Sequence, residues 1–440
     1  MTLTEATTSL TDVVPAPRTS PLRTAVARRL MSTMARRVPV DIVLPDGSLF
    51  GGGRRSTQEG ETRPVLELFR PDVLFDRISE QPKIGIGEGY MAGDWREGDD
   101  TDLADLLVPF AQRMTSLVPA PVSRLRRIVD RPLPVGTRNT PSGSRRNIEA
   151  HYDLSNELFA AFLDETLTYS SALFDDGRPW AEQSLAEAQL RKIDRVLDEA
   201  NVRAGSRVLE IGTGWGTLAI QAARRGAHVT TVTLSKEQAA LAQDRVDAAG
   251  LAGSVDIRVQ DYREVDGSYD AIASVEMIEA VGEEFWPSYV EVLDQRLAPG
   301  GKAVIQAILM EHDRYLATRD SYGWIQKYIF PGGLIPSVPA LDEVTTRHTA
   351  LRITGEHRFG LHYAETLRRW RAEFDAQWAG ISELGFDETF RRMWRFYLAY
   401  SEAGFASGYL DVAHLRFERP ECFPKARQAR PARGRDAAST

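Results

Sequence analysis

The sequence predicts an α/β protein with a doubly wound, mainly parallel sheet and a smaller N-terminal α+β domain. Strand-like and helical stretches alternate from about residue 147 onward, and a glycine-rich turn interrupts the first of them. The predicted strands are RVLEIG, HVTTVTL, VDIRVQD, YDAIASV and KAVIQAI, and helical stretches such as EQAALAQDRVDAAG and WPSYVEVLDQRLAPG lie between them. Such alternation is typical of parallel strands with helices on both faces of the sheet.

Composition restricts the class of protein. The chain has 440 residues, 42% apolar and 26% charged, as soluble globular proteins do. A net charge of −8 argues against general nucleic-acid binding. Its single cysteine excludes an intrachain disulfide, and no histidine spacing predicts a metal site. Because no apolar run approaches about 20 residues, we expect no membrane-spanning helix and a cytoplasmic location.

The N-terminal part divides into a disordered segment, residues 1–20, and a domain, residues 21–117, that we expect to associate with lipid or membrane. Leu22, Val26, Leu30 and Met34 recur at four-residue spacing with arginines between them, which predicts an amphipathic basic helix. Two interpretations remain open for this helix. It packs on its own domain, or it contacts an anionic membrane surface.

The remaining segments have simpler signals. VDIVLPDGSLFGG predicts a hairpin around Asp-Gly, and the glycines of KIGIGEGYMAGDW predict a turn into a helix. Residues 118–146 contain prolines and arginines and are predicted to be a linker. The catalytic domain is expected over 147–419, followed by a disordered tail over 420–440.

The stretch VLEIGTGWGTLAI predicts a cofactor site formed by a strand, a glycine turn and a helix. Gly212, Gly214 and Gly216 permit a tight turn and close approach of a ligand to the backbone. The Gly-x-Gly-x-Gly spacing, Glu210 at the strand end and Asp261 after the third strand favour S-adenosylmethionine over a dinucleotide. A nucleotide or purely structural use is the alternative.

These features define a Rossmann-like class I S-adenosylmethionine-dependent methyltransferase. Where many such proteins place an acid for the ribose, VTLSKEQ has Thr233, with Gln238 one turn into the next helix. VQDYRE places Asp261 where an adenine amine binds. The residues expected to contact the cofactor here are Thr233, Leu234, Gln238, Gln260, Asp261 and Tyr262.

Several motifs in the same order resemble the cyclopropane-fatty-acyl-phospholipid synthases and the mycolic acid methyltransferases. They are HYDLSNELFAAFLDETLTYSSALF, VLEIGTGWG, VTLSKEQ, VQDYRE, VEMIEAVG and WIQKYIFPGGLIPS. The resemblance covers about residues 83–419. GIGEGYMAGDW is similar to the N-terminal domain of the bacterial phospholipid enzymes, which the mycolic acid branch lacks.

The resemblance implies alkylation of a cis double bond in an acyl chain by the methyl group of the sulfonium. The carbocation that results must lose a proton, and bicarbonate is the implied base. Loss of a methyl proton closes a cyclopropane. A hydride shift before that loss gives a methylene branch instead, which a separate reductase would convert to a methyl branch.

The resemblance also implies site residues. The anion pocket falls on Glu279, Tyr363, Ile308, Gln306 and Ser171. Gln306 stands in place of a family histidine and Ser171 in place of a cysteine, while Ala280 replaces the histidine that usually follows the glutamate. Tyr169 and Ser170 fall where the family contacts the methionine end of the cofactor, the alternative being packing at a helix start.

These departures favour C-methylation of an oleoyl-type phospholipid to a methylene-branched chain of the tuberculostearic type. The alternatives are a cyclopropane product and an inactive lipid-binding protein. The resemblance further implies a membrane phospholipid as partner, attachment to the inner face of the cell membrane and a homodimer. For the segment WIQKYIFPGG, core packing and an acyl-channel wall remain open.

Overall fold

The fold is given by a computed structural model that describes residues 14–51, 63–117, 139–140, 143 and 155–420. The strands are β1 Asp41–Val43, β2 Val65–Leu68, β3 Trp95–Glu97, β4 Arg207–Ile211, β5 His228–Thr233, β6 Val255–Val259, β7 Tyr269–Val275, β8 Leu297–Met310, β9 Arg352–Arg358 and β10 Leu410–Glu418. The first helices are α1 Pro21–Ala35, α2 Pro71–Glu80, α3 Gly85–Ala92, α4 Leu103–Leu117 and α5 Asn156–Phe162.

The helices of the catalytic part alternate with its strands. They are α6 Leu185–Glu199, α7 Thr217–Arg224, α8 Lys236–Ala248, α9 Ile278–Val281, α10 Trp286–Arg296, α11 His312–Thr318, α12 Trp324–Tyr328, α13 Val338–His348, α14 Gly360–Ala376, α15 Trp378–Glu383 and α16 Glu388–Ala406. In the described part of the chain, no helix is both long and apolar enough to cross a bilayer.

A seven-stranded sheet forms the centre of the catalytic part, with strand order β6-β5-β4-β7-β8-β10-β9. The strands β4 to β8 pair in parallel, which confirms the predicted doubly wound sheet. The order reverses between β4 and β7, and α/β proteins bind ligands at such a switch point. The antiparallel pairing of β10 with β8 and β9 was not predicted.

The N-terminal part contains a small sheet in which β1 pairs with β2 in parallel and β2 pairs with β3 antiparallel. The predicted turn at Asp-Gly is present, since Leu44 N donates to Ser48 O and Val43 bridges to Leu49. The hairpin is therefore limited to one bridge, because the longer pairing of β1 is with β2.

The glycine-rich segment KIGIGEGYMAGDW does form a turn followed by a helix, but its glycines lie inside that helix, α3. They permit close packing rather than a bend. A Cβ added at Gly87 would lie 2.5 Å from Cδ1 of Trp324, and one at Gly89 would lie 2.4 Å from Cδ1 of Leu74. Helix α3 can therefore lie directly against α12 of the catalytic part.

The predicted basic helix exists as α1, but three of the four residues of its apolar stripe are exposed, and only Met34 is half-buried. The side chains of Leu22, Val26 and Leu30 are 79%, 52% and 41% exposed. Ala27 and Ala35 form the buried side instead. The preceding residues do not fit the prediction of disorder throughout 1–20, since Arg18 N donates to Glu80 of α2. The predicted linker lies almost wholly outside the described residues, as does the predicted tail.

One aromatic core joins the N-terminal part to helix α16. The ring of Phe396 lies 5.5 Å from that of Tyr90 and 6.2 Å from that of Trp95. Nearby, the buried guanidinium of Arg371 binds Glu402 at 3.0 Å and Asp102 at 2.9 Å. The two parts of the chain therefore share apolar packing and an ion pair between the buried Arg371 and the exposed Asp102.

Candidate active site

The glycine turn after β4 forms the edge of a cavity of about 750 Å³. Gly212, Gly214 and Gly216 have φ angles of +99°, +51° and +87°, which side chains rarely adopt. A Cβ at Gly212 would meet Met277 at 2.6 Å, whereas one at Gly214 would meet nothing within 4 Å. Gly214 therefore presents bare backbone to the cavity, as a cofactor lying across the turn requires.

Glu210 provides an unsatisfied acceptor beneath this turn. Its side chain is 3% exposed, and its Oε2 atom has no hydrogen-bond partner. Burial raises the pKa of Glu210 to about 8. A buried carboxyl without a partner costs free energy unless a ligand supplies a donor. The amino group of S-adenosylmethionine is such a donor, so the residues present fit this cofactor.

The ribose and adenine side of the cavity is lined by the predicted residues Thr233, Leu234, Gln238, Gln260, Asp261 and Tyr262. The Thr233 hydroxyl donates to Oε1 of Gln238 at 3.1 Å, so hydroxyl and amide lie together where many such methyltransferases have an acid. Both Asp261 oxygens accept hydrogen bonds from Arg263. A carboxylate has further lone pairs, so this pairing leaves room for an adenine amine.

Tyr169 and Ser170 lie in a segment without helix. The alternative prediction, that they pack at the start of a helix, is therefore wrong. Side chains of α6 form hydrogen bonds to this segment. Gln189 donates to Ser170 O at 2.8 Å, and the fully buried Lys192 ammonium donates to Ser170 Oγ at 2.6 Å. Tyr169 shares a hydrogen bond with Tyr397 at 2.8 Å. Both predicted residues line the cavity.

The predicted anion pocket is assembled, but a carboxylate of the protein lies in it. Glu276 Oε1 accepts hydrogen bonds from Ser171 N at 2.9 Å and from Gln306 Nε2 at 2.8 Å. Its Oε2 accepts from the Tyr363 hydroxyl at 2.6 Å. The donors expected to hold bicarbonate therefore bind Glu276. The residues present do not fit a bicarbonate at this place.

Glu279 occupies a neighbouring position rather than the centre of the pocket. Its Oε1 accepts a hydrogen bond from Ile308 N at 2.5 Å, while its Oε2 has no partner. Burial and the charge of Glu276 raise the pKa of Glu279 to about 8. The backbone contribution implied for Ile308 is thus made to Glu279.

The pKa of Glu276 is also raised by burial, but the hydrogen bonds from Tyr363 and Ser171 and the charge of Lys192 oppose the shift. These contacts favour the carboxylate form. Burial raises the pKa of Tyr363 well above its usual range, so its hydroxyl remains a donor. Glu276 therefore presents both carboxyl oxygens as acceptors to three donors at the cavity wall.

Sequence reasoning missed Glu276, which comes three residues before Glu279 in VEMIEAVG. One signal was available: Glu276 directly follows the strand β7, which neighbours the cofactor strand. Its φ of +51° could not be read from sequence. Lys192 was also missed, since a lysine in a charged helix looks like a surface residue.

The segment Trp324–Gly333 contributes both to the core and to the wall of the cavity. Trp324 is core packing, since it is 5% exposed and its ring lies 4.8 Å from that of Phe396. Ile325 and Phe330 line the cavity. The cavity then continues between the two parts of the chain to apolar side chains of the N-terminal part. These are Met31, Met34, Ile42, Phe50, Leu66, Leu68, Leu74, Phe75 and Ile78.

Comparison with known proteins agrees with this arrangement. The sequence pattern of the mycolic acid cyclopropane synthetase family matches residues 140–415, more than half of the chain. The chain belongs to this family. The tuberculostearic acid methyltransferase UfaA1 of Mycobacterium tuberculosis is 52% identical over 88% of this chain and 90% of its own length. The cyclopropane-fatty-acyl-phospholipid synthase of Escherichia coli K12 is 32% identical over 82% and 89%.

Among solved structures, this family member is similar to the mycolic acid cyclopropane synthase CmaA1 complexed with SAH and CTAB. The TM-score is 0.57 and the identity 29%, over 62% of this chain and 97% of CmaA1. The fold is therefore that of class I S-adenosylmethionine-dependent methyltransferases, as predicted. The protein is an S-adenosylmethionine-dependent lipid methyltransferase, which confirms the predicted enzyme class and cofactor.

Proposed function

We propose that the protein methylates the cis double bond of an oleoyl-type phospholipid chain and leaves a methylene branch, with Glu276 as the base. The observation that carries the proposal is the Glu276 carboxylate, held by three donors at the cavity wall. A general base must be ionised and within reach of the proton that it removes. The three donors favour the ionised form of Glu276, and its side chain lines the same cavity as the cofactor residues.

Bound S-adenosylmethionine supplies an electrophilic methyl group. As the double bond attacks it, a carbon–carbon bond forms, the sulfur–carbon bond breaks, and the neighbouring acyl carbon becomes a cation. A hydride shift then moves the positive charge to the methylated carbon. Glu276 accepts a proton from the new methyl group, and the electrons of that C–H bond form the exocyclic double bond. The negative carboxylate also stabilises the cation by its charge.

The choice of product follows from how the base is held. A carboxylate anchored by Ser171, Gln306 and Tyr363 cannot move with the substrate as a free anion can. Which proton is lost then depends on the position of the cation relative to one fixed oxygen, and about 1 Å matters at this step. The 52% identity with a tuberculostearic acid methyltransferase, against 32% with a cyclopropane synthase, supports the methylene product.

The cavity wall supports an acyl chain as substrate. From Phe330 and Ile325 it continues to the mainly apolar side chains that the N-terminal part contributes. Burial of a chain of methylene groups against such a wall is favourable by about 0.8 kcal/mol per group. We therefore propose that residues 21–117 form a lipid-associating domain, that 147–419 form the catalytic domain and that the N-terminal domain completes the acyl channel.

Helix α1 supports peripheral attachment to a membrane. Its exposed stripe of Leu22, Val26 and Leu30 is flanked by the exposed Arg23 and Arg29. Such a combination binds anionic lipid surfaces through apolar burial and charge together. Met31 and Met34 of the same helix line the cavity, so a lipid could pass from the bilayer to the channel along α1.

Two partners complete the proposal. A methylene branch becomes a methyl branch only by reduction, which requires a hydride donor, so we propose that a separate reductase acts on the product. A homodimer is proposed on the resemblance to the phospholipid synthases alone.

The test is expression in a host that makes oleoyl phospholipids deuterated at both double-bond carbons. Methylene and cyclopropane products have equal mass, so ozonolysis and mass spectrometry must separate them. We expect a ketone after ozonolysis, with both deuterium atoms on the adjacent carbon because the hydride has moved. A cyclopropane as the sole product, with one deuterium on each of the two former double-bond carbons and none on the ring methylene, would contradict the proposal and favour a cyclopropane synthase. No product, with no binding of S-adenosylmethionine, would favour an inactive lipid-binding protein.

A further inference from the structure

The Glu276 carboxylate depends on the side-chain amide of Gln306, which has a donor end and an acceptor end. The donor Nε2 faces two acceptors, Glu276 Oε1 at 2.8 Å and Ser171 O at 3.3 Å. If the amide rotated by half a turn, its oxygen would face these acceptors and the carboxylate would be repelled. A hydrogen-bond donor at the acceptor end of the Gln306 amide is therefore needed to hold the amide in this orientation.

That acceptor end faces His414. The strands β8 and β10 place the two residues opposite each other in register, and His414 Nε2 lies 2.9 Å from Gln306 Oε1. Both side chains have no exposed surface. Because an amide oxygen only accepts, the imidazole must carry its hydrogen on Nε2. His414 Nδ1 is buried without a partner, which fits a neutral ring.

The surroundings also favour the neutral ring. Lys192 and Arg195 of α6 and His357 of β9 all oppose a positive charge on His414, and together with burial they lower the pKa of His414 well below its usual range. The ring of Phe359 packs against His414 edge-on at 4.8 Å. These contacts fix the position of the His414 ring, and the lowered pKa favours its neutral form.

We propose that His414 is a positioning residue that fixes the Gln306 amide and, through it, the Glu276 carboxylate. The proposal rests on the proposed role of Glu276 as the base. The chain of hydrogen bonds runs from His414 Nε2–H to Gln306 Oε1 and from Gln306 Nε2–H to Glu276 Oε1. His414 itself is not among the residues that line the cavity, and it acts only through Gln306.

A matched pair of substitutions isolates this hydrogen bond. His414→Gln keeps a donor that reaches Gln306, while His414→Met has a similar length and no donor. We expect the Met variant to lose about ten- to hundredfold in kcat with little change in KM, as displaced catalytic groups do. The acid limb of its pH profile should move to higher pH, since Glu276 loses a donor that lowers its pKa. The Gln variant should stay within a fewfold of the original kcat.

Two control variants distinguish failure of the proposed function from failure of the positioning proposal. His357→Met changes the neighbouring ring on β9, 6.3 Å from His414, and should leave the pH profile unchanged. Glu276→Gln tests the base itself: if it retains full activity, the proposed function fails whatever His414 does. If Glu276→Gln is inactive but the Gln and Met variants of His414 behave alike, only the positioning proposal is overturned.

A measurement on the unchanged protein covers the case in which His414→Met does not fold. Nitrogen NMR of labelled histidines should show one buried ring as the neutral Nε2–H tautomer with no titration between pH 5 and 8. Assignment of that ring to His414 follows from its absence in the His414→Gln spectrum. A Nδ1–H tautomer or a protonated ring would overturn the proposal.

Discussion

At the scale of single residues, Glu276 is held at a cost in backbone conformation. A non-glycine residue at a φ of +51° costs about 1–3 kcal/mol, and it persists only where the surrounding contacts offset that cost. Here Glu276 N donates to Gln306 O at 2.8 Å, and the side chain accepts three hydrogen bonds. Residues strained in this way cluster at functional sites, which agrees with the proposed role of Glu276.

Replacement of Glu276 by Gln should therefore lower kcat by about 10²–10⁴-fold, the usual contribution of a general base. The variant removes the charge and keeps the shape of the side chain. The matched control is Glu283→Gln, which changes a half-exposed carboxylate nearby in sequence that pairs with Arg319. Turnover in oleoyl phospholipid vesicles with S-adenosylmethionine provides the measurement. Equal activity of the two variants would rule out Glu276 as the base.

The pH dependence of kcat tests the same carboxylate. Because only the ionised form accepts a proton, activity should fall as pH drops through the raised pKa of Glu276, above the ordinary value of 4.5. Tyr363→Phe removes a donor that lowers this pKa, so the acid limb should move to higher pH. A limb that stays in place would show that Tyr363 does not stabilise the Glu276 charge.

At the scale of elements, the glycines of α3 illustrate packing rather than flexibility. Helix α3 lies against Trp324 of α12, and Glu88 at its centre binds Lys327 Nζ at 2.5 Å and the Tyr328 hydroxyl at 2.7 Å. A side chain at Gly87 would prevent this approach to α12, and one at Gly85 would meet the backbone of α2 at Arg77. The contact between the two parts of the chain thus requires a glycine, which has no Cβ, at position 87.

Gly87→Ala should lower the free energy of unfolding by about 1–3 kcal/mol, the usual cost of overpacking. The control is Gly380→Ala in the exposed helix α15, where a Cβ meets nothing within 4 Å. That change should raise the free energy of unfolding by about 0.5–1 kcal/mol. Denaturant unfolding of the three proteins checks both signs. A stabilising effect at Gly87 would contradict the packing found here.

Helix α1 gives a second prediction at this scale. Val26→Glu places a charge in the exposed stripe and should weaken binding to vesicles that contain anionic phospholipid, measured by cosedimentation. Leu384→Glu is a matched control, because Leu384 is also an exposed apolar residue, at 46%, but lies in the catalytic part. Equal binding of both variants would show that α1 is not the membrane contact.

At the scale of the whole molecule, one cavity connects the cofactor turn with the N-terminal sheet. Met34→Trp should fill the N-terminal end and lower kcat/KM for oleoyl phospholipid by about tenfold, one lost pair of methylene contacts. Binding of S-adenosylmethionine by calorimetry should not change. Thr33→Trp, on the exposed side of α1, is the control. Unchanged kcat/KM in the Met34 variant would show that the chain does not reach this end.

The sequence by itself determined the parallel strands of the sheet and its cofactor edge. Alternating strands and helices require parallel pairing, and the turn from Gly212 to Gly216 must follow its central strand. These are local signals, read within about 15 residues. Resemblance to a family then supplied Ser171, Gln306 and Tyr363 one position at a time.

Only the tertiary structure decided which group those donors bind. Ser171 is 105 positions from Glu276, and Tyr363 is 87 positions from it, so no local pattern relates them. The antiparallel strand β10, which sequence did not predict, brings His414 to Gln306. Hydrogen bonds act over about 3 Å in space, whereas sequence patterns report periodicity along the chain. The carboxylate that we propose as the base, and its contacts with the groups that hold it, therefore follow only from the tertiary structure.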